Sequence, residues 1–127
     1  MKKLAVITVL LMTSCADNDS VPPELMSQVD IFMADPIAVR RGEALFLGSC
    51  AEYCHTTQAP VADSGAALLF DCEWVHAETD VQLFDVIING IPGTRMVAYG
   101  ENFPEGSDDV WKIIAYIRAN QQTCEFD

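Results

Sequence analysis

The sequence predicts a small all-α domain, and three stretches with helical periodicity support that prediction. Apolar residues recur every three or four positions in Ile37–Leu47, Thr79–Asn89 and Val110–Asn120, the spacing of an amphipathic helix. No stretch alternates between apolar and polar residues as a half-buried strand does. At 127 residues the chain can hold one domain with a single core, preceded by a leader.

The first residues are typical of an export signal. Two lysines precede the apolar run Leu4–Met12, which is too short to span a bilayer. The run ends in Met-Thr-Ser-Cys, which is similar to a bacterial lipobox, although Met12 stands where leucine is usual. We therefore expect residues 1–14 to be a lipoprotein signal peptide and Cys15 to be lipidated. The alternative is an ordinary signal peptide with a chance cysteine. The expected location is periplasm-facing, on a lipid anchor.

Acidic residues dominate the charge of the chain. Its formal net charge is −12, and removal of Lys2 and Lys3 with the leader makes it −14. Such a surface repels phosphate, which excludes nucleic acid as a partner. It attracts a protein with a basic docking patch at low ionic strength. The alternative is that the acidity serves only solvation in a salty habitat and identifies no particular partner.

The segment after the leader is polar and acidic. We interpret residues 15–35 as a tether with one short helical turn near Leu25–Met33, and residues 36–127 as the domain. Pro36 suits the first position of the first long helix.

The remaining segments connect the helices. Thr56–Ala67 has no clear helical or strand period and is predicted to be a surface loop. The apolar stretch Ala67–Trp74 is predicted to pack over the candidate metal site around Cys50 and His55. Gly90 ends the second long helix. Gly93–Pro104 is predicted to be a loop, and Ser107–Asp109 to cap the last helix.

Two thiols and an imidazole lie within six residues, at Cys50, Cys54 and His55. With one residue fewer between the cysteines, this would be the Cys-x-x-Cys-His haem-attachment signature. As it stands, the Cys-x-Glu-x-Cys spacing is similar to the loop of CuA-type copper centres. The motif therefore indicates a cofactor site but leaves two cofactors open.

Several motifs together resemble the class I cytochrome c fold, over roughly residues 36–120. Gly42 and Phe46 precede the cysteines as in that family's first helix, and Trp111–Arg118 matches its last helix. The resemblance implies that Gly42 lets these two helices cross closely. It also implies that Tyr116 is the aromatic residue that meets the first helix.

Two further segments extend the resemblance. Asn89–Met96 is similar to the loop that supplies the family's methionine ligand. Asp71–Trp74, followed by that loop, is similar to the cytochromes that serve quinoprotein alcohol dehydrogenases. The departures from the family lie where haem would bind: the cysteine spacing is longer, Gly65–Leu68 replaces Gly-Pro-x-Leu, and Val97 replaces a common proline. Helix-packing positions that match the family, combined with altered cofactor contacts, suggest a changed cofactor.

Copper is the cofactor that we favour from the sequence. Thiolate, imidazole and thioether ligands suit it, and the CuA resemblance implies a dinuclear centre. The candidate ligands are Cys50, Cys54, His55, His76, Met96 and the backbone carbonyl of Glu52. The order departs from the usual CuA loop, because Gln58 and Val61 stand where its histidine and methionine would be.

Haem c is the alternative. It would need Cys50 and Cys54 as thioethers and His55 and Met96 as axial ligands, and the inserted residue speaks against it by changing how the thiols are presented. Simpler interpretations are a Cys50–Cys54 disulfide, a surface position for His76 and a core-filling role for Met96.

A disulfide between Cys72 and Cys124 is also predicted. If Cys15 is lipidated and two cysteines hold the cofactor, these two remain from the five in the chain. In an exported protein they are expected to pair, which stabilises a fold by about 2–4 kcal/mol.

The predicted function is one-electron transfer, with a redox protein as partner, and not catalysis. A metal saturated by cysteine, histidine and methionine has no open position for substrate. The alternatives are a monohaem cytochrome in a periplasmic respiratory or quinoprotein dehydrogenase chain, a copper storage or delivery protein, and an enzyme or sensor in which Met96 dissociates.

Overall fold

The computed structural model describes residues 26–57, 65–72, 77 and 79–123. These residues form four α-helices and a π-helical turn, with no strand among them, so the all-α prediction is confirmed. The elements in chain order are α1 (Gln28–Met33), α2 (Pro36–Phe46), the π-helical turn (Leu47–Ala51), α3 (Asp80–Asn89) and α4 (Ser107–Asn120). The predicted signal peptide, Cys15, Trp74, His76 and Cys124 lie outside the described residues.

Helix α1 confirms the short helical turn expected at the end of the tether. Ser27 and Asp30 form a capping box at its start. Val29 is 2% exposed and belongs to the core, and α1 packs against α4 and α2. The folded part therefore begins before Pro36, because α1 lies within the acidic segment and buries Val29 in the core.

Helix α2 begins as the sequence predicts. The Asp35 side chain accepts a hydrogen bond from the Ile37 amide at 2.8 Å, and Pro36 occupies the first turn, where its missing amide proton is not needed. The helix ends at Phe46, whose side chain is fully buried. The Phe46 ring lies 5.5 Å from that of Tyr116 in α4, so the expected aromatic contact between the helices is confirmed.

Helix α3 is also confirmed. Thr79 and Gln82 form a capping box at its start. Gly90 ends it with a φ of 67°, a left-handed conformation that glycine adopts readily.

Helix α4 carries the centre of the core. Ile113, Ile114 and Ile117 are at most 1% exposed. The helix begins at Ser107 after Gly106, without a side-chain cap, so the predicted cap at Ser107–Asp109 is wrong. Asp109 is buried and binds the Arg41 guanidinium instead, because its position in the first turn faces α2.

None of the helices in the described ranges combines the length and apolar character needed to cross a membrane.

Candidate cofactor site

A cavity of about 430 Å³ lies between the end of α2, α3, the loop after α3, and α4. Its volume falls in the range of small-molecule and cofactor sites, roughly 300–1,000 Å³. Apolar side chains form much of its wall, among them Phe46, Leu83, Val86, Ile87, Ile113 and Ile117. Four of the predicted ligands also line this cavity: Cys50, Cys54, His55 and Met96.

The cysteines lie at and just after the π-helical turn. The Cys50 carbonyl accepts hydrogen bonds from the amides of Cys54, at 3.2 Å, and His55, at 2.8 Å. The bond to His55 spans five residues, one more than an α-helical bond. A π-helical turn accommodates one extra residue without ending the helix. The inserted residue therefore does not prevent both thiols and the imidazole from reaching one cavity.

Both thiols are free, so the Cys50–Cys54 disulfide is absent from the structure. Burial, and then the neighbouring Cys54, raise the pKa of the Cys50 thiol to about 12. At neutral pH Cys50 is therefore a neutral thiol, the form that an apolar cavity favours.

The His55 ring is oriented by a backbone contact. Its Nδ1 lies 2.9 Å from the carbonyl oxygen of Ala67. Because a carbonyl oxygen only accepts, Nδ1 carries the proton, and Nε2 keeps a lone pair for a metal. Ala67 belongs to the segment that departs from the family's Gly-Pro-x-Leu pattern, so the backbone supplies this support without the proline.

Hydrogen bonds hold the Met96 loop against the end of α3. The Ile91 amide donates to the Met96 carbonyl at 3.0 Å. The Thr94 hydroxyl donates to the Ile91 carbonyl at 2.8 Å and accepts from the Met96 amide at 3.1 Å. A Cβ at Gly90 would lie 2.6 Å from the Met96 carbonyl oxygen, so only glycine allows this close approach.

Tyr99 is a residue of the site that the sequence did not indicate. Its hydroxyl donates a hydrogen bond of 2.5 Å to the Ser49 carbonyl, in the turn that carries Cys50. Burial, and then Cys50 and Cys54, raise the pKa of Tyr99 above its usual value, which keeps the phenol protonated. No local pattern predicts this contact, because it joins residues 50 positions apart.

The copper centre predicted from the sequence is not supported. Among the described residues, no three histidine, cysteine, aspartate or glutamate side chains are grouped to hold a metal ion. His76, which the dinuclear centre requires, lies outside these residues. Glu52 is exposed. The inserted residue was expected to break the register that presents both thiols to haem, but the π-helical turn Leu47–Ala51 accommodates it.

Cys72 is disulfide-bonded. Its predicted partner, Cys124, is not among the described residues, and the pairing of these two cysteines stays a prediction.

The helical fold, two free thiols, an oriented imidazole and a thioether around one apolar cavity define a cytochrome c-like domain. Comparison with protein families agrees, since the family model described as cytochrome c oxidase, cbb3-type, subunit III matches residues 37–117. The match covers more than half of the chain, and the chain belongs to this family. Searches of curated proteins and of solved structures gave no match. The family supports a haem-type electron-transfer protein; a specific relation to quinoprotein dehydrogenases does not follow from it.

Proposed function

We propose that this protein is a monohaem c-type cytochrome that carries one electron between redox proteins. In this proposal Cys50 and Cys54 would hold the haem as thioethers, and His55 and Met96 would supply its iron ligands. The observation that carries it is the arrangement of these four side chains around one mainly apolar cavity.

The donor set fits haem c. Thioether formation adds one free thiol to each of two haem vinyl groups, and both Cys50 and Cys54 are free. The carbonyl of Ala67 holds His55 in the tautomer with an available Nε2. The bound group would supply an iron ion that changes its oxidation state by one electron.

The surrounding residues favour electron transfer over catalysis. With His55 and Met96 both used as ligands, no coordination position is left for a substrate. Around a bound haem, the apolar wall, with Phe46 and Ile113 fully buried, would lower the local dielectric constant. A thioether ligand and apolar surroundings both favour the reduced metal, so these residues would raise the reduction potential.

The partner and the location belong to the same proposal. The net charge of −12 supports a redox partner with a basic docking patch. The leader and Cys15 support a periplasm-facing protein on a lipid anchor. An electron donor in a respiratory or a quinoprotein dehydrogenase chain is compatible with this location. A rate of electron transfer that falls steeply with ionic strength is the expected sign of such docking.

Cofactor analysis of the exported protein tests the proposal. The full chain is produced in a bacterium that has a c-type cytochrome maturation system, and haem and copper are measured per chain. We expect about one covalently bound haem per chain, and a changed pyridine haemochrome spectrum in Cys50→Ser and Cys54→Ser, because one thioether is lost in each. Copper bound through these cysteines, with no haem, would overturn the proposal and favour a copper carrier or delivery protein.

His76→Ala separates the two cofactors further. In a dinuclear copper protein it changes the copper count or the electronic spectrum. In the haem protein proposed here it leaves haem content and axial ligation unchanged.

A further inference from the structure

Tyr99 contacts three parts of the molecule around the cavity. Its amide donates to the Ile87 carbonyl of α3 at 3.0 Å. Its ring stacks on Phe103, with ring centres 5.7 Å apart and planes 8° from parallel. Its hydroxyl donates to the Ser49 carbonyl at 2.5 Å. A residue three positions after Met96 is therefore fixed at the backbone, at the ring and at the hydroxyl.

The acceptor lies in the turn that presents the cysteines. Ser49 belongs to the π-helical turn and directly precedes Cys50. The last carbonyls of a helix lack intrahelical donors and need partners from elsewhere. The Tyr99 hydroxyl is such a partner, and its bond is partly buried, where a lost partner costs more than it does in water.

The Met96 loop has no regular secondary structure of its own. On one side, the amides of Tyr99 and Gly100 attach it to the end of α3, through the carbonyls of Ile87 and Ile88. On the other side, the Tyr99 hydroxyl attaches it to the cysteine turn. The contacts of Tyr99 therefore join the two segments that carry the thiols and the thioether.

We propose that Tyr99 is a positioning residue that holds the Met96 loop against the cysteine turn and so limits how readily Met96 leaves the cofactor. The proposal rests on the function proposed above. Tyr99 does not bind the cofactor in this role; it acts through the loop. Opening the loop requires breaking the bond to Ser49, and this cost opposes any external ligand that competes with Met96.

Tyr99→Phe removes the hydroxyl and keeps the ring that stacks on Phe103, which makes it the sharpest test. In the oxidised, haem-loaded protein, imidazole serves as the competing ligand. We expect the imidazole dissociation constant to fall about three- to tenfold, the change that one lost hydrogen bond produces. Amide exchange of Ile91 and Gly100 should accelerate by a similar factor, with or without haem. Tyr53→Phe is the matched control, since Tyr53 lies between the two cysteines and its side chain is exposed.

The outcomes separate this inference from the proposed function. If the wild-type protein matures without haem, the proposed function fails, while amide exchange still tests the link between loop and turn. If haem is bound but Tyr99→Phe and Tyr53→Phe give the same imidazole affinity as the wild type, the positioning role is overturned. Faster amide exchange with unchanged imidazole affinity also overturns it, because Tyr99 would then stabilise the loop without acting on Met96.

Discussion

Gly42 of α2 lies directly against the carbonyl group of Lys112 in α4. A Cβ at Gly42 would be 2.0 Å from the Lys112 oxygen and 2.5 Å from its carbonyl carbon. The two helices therefore cross in backbone contact, as the family resemblance implied. The atoms that a side chain would meet belong to the backbone, which cannot rotate away.

Gly42→Ala is expected to destabilise the protein. Alanine favours a helix over glycine by about 1 kcal/mol, but forcing a methyl group into this contact separates α2 from α4 and costs more. Overpacking of a core typically costs about 1–3 kcal/mol, occasionally more, and here the backbone must move. We expect a net loss of about 1–3 kcal/mol in the free energy of unfolding, measured by urea denaturation.

Gly48→Ala is the control for that experiment. A Cβ at Gly48 meets nothing within 4 Å, so this variant should be as stable as the wild type, or slightly more so. If Gly42→Ala were equally neutral, the helices would not be in backbone contact.

Asp109 makes the free energy of unfolding depend on pH in the acid range. It is fully buried, and both of its carboxylate oxygens accept hydrogen bonds from Arg41, at 2.6 and 2.9 Å. These bonds hold the pKa of Asp109 below its usual value, with help from the Glu105 amide, while burial opposes them. Because the pKa of Asp109 is lower in the folded than in the unfolded state, its ionised carboxylate stabilises the fold at pH values above the unfolded pKa of about 4. That stability is lost as the pH falls through the folded value.

Asp109→Asn should therefore cost stability at neutral pH and little at low pH. We expect a loss of about 1.5–3 kcal/mol at pH 7, the range for hydrogen bonds to charged groups. The expected loss of stability is smaller than that for breaking a fully buried ion pair, because the Arg41 side chain is 36% exposed. The free energy of unfolding, measured between pH 2 and pH 7, should vary less in Asp109→Asn than in the wild type. Asp108→Asn, at an exposed neighbouring position, should follow the wild-type curve; parallel curves for Asp109→Asn and the wild type would contradict the argument.

The helices were predictable because their signals are local. Asp35 before Pro36, Thr79 before α3 and Gly90 after it mark helix ends by their own chemistry, and the structure uses each of them in that way. The start of α4 was misplaced because an aspartate before an apolar helical stretch is typical of a helix cap. The partner of Asp109 is instead Arg41, which lies 68 positions away in the sequence. A contact across the fold decided the role of that side chain.

The site was predictable in its residues and not in its geometry. Cys50, Cys54, His55 and Met96 are recognisable as ligand types, and they do line one cavity. The π-helical turn carries no residue signature of its own, so the extra residue suggested a different cofactor. The contacts of Ala67 with His55 and of Tyr99 with Ser49 involve backbone carbonyls, which any residue type supplies, and they were therefore invisible in the sequence.

Deleting Ala51 tests whether the π-helical turn absorbs the inserted residue. The deletion leaves Cys50, Glu52, Tyr53, Cys54 and His55 in the usual haem-attachment spacing, and the turn can then continue as an α-helix. We expect the variant to carry at least as much covalent haem as the wild type, measured as the ratio of haemochrome to protein. A variant that folds but binds no haem would mean that the longer turn is itself required by the cofactor.

The sulfur of Met96 is expected to set the reduction potential more than to hold the cofactor. Leucine has a similar volume and keeps the cavity apolar, so Met96→Leu should fold normally. The thioethers of Cys50 and Cys54 and the imidazole of His55 should retain the haem, while loss of the thioether ligand lowers the potential and changes the absorption of the oxidised protein. Met33→Leu, at a position 39% exposed in α1, is the matched control. An unchanged potential and spectrum in Met96→Leu would show that Met96 fills the core and binds no metal, and loss of haem would show that it anchors the cofactor.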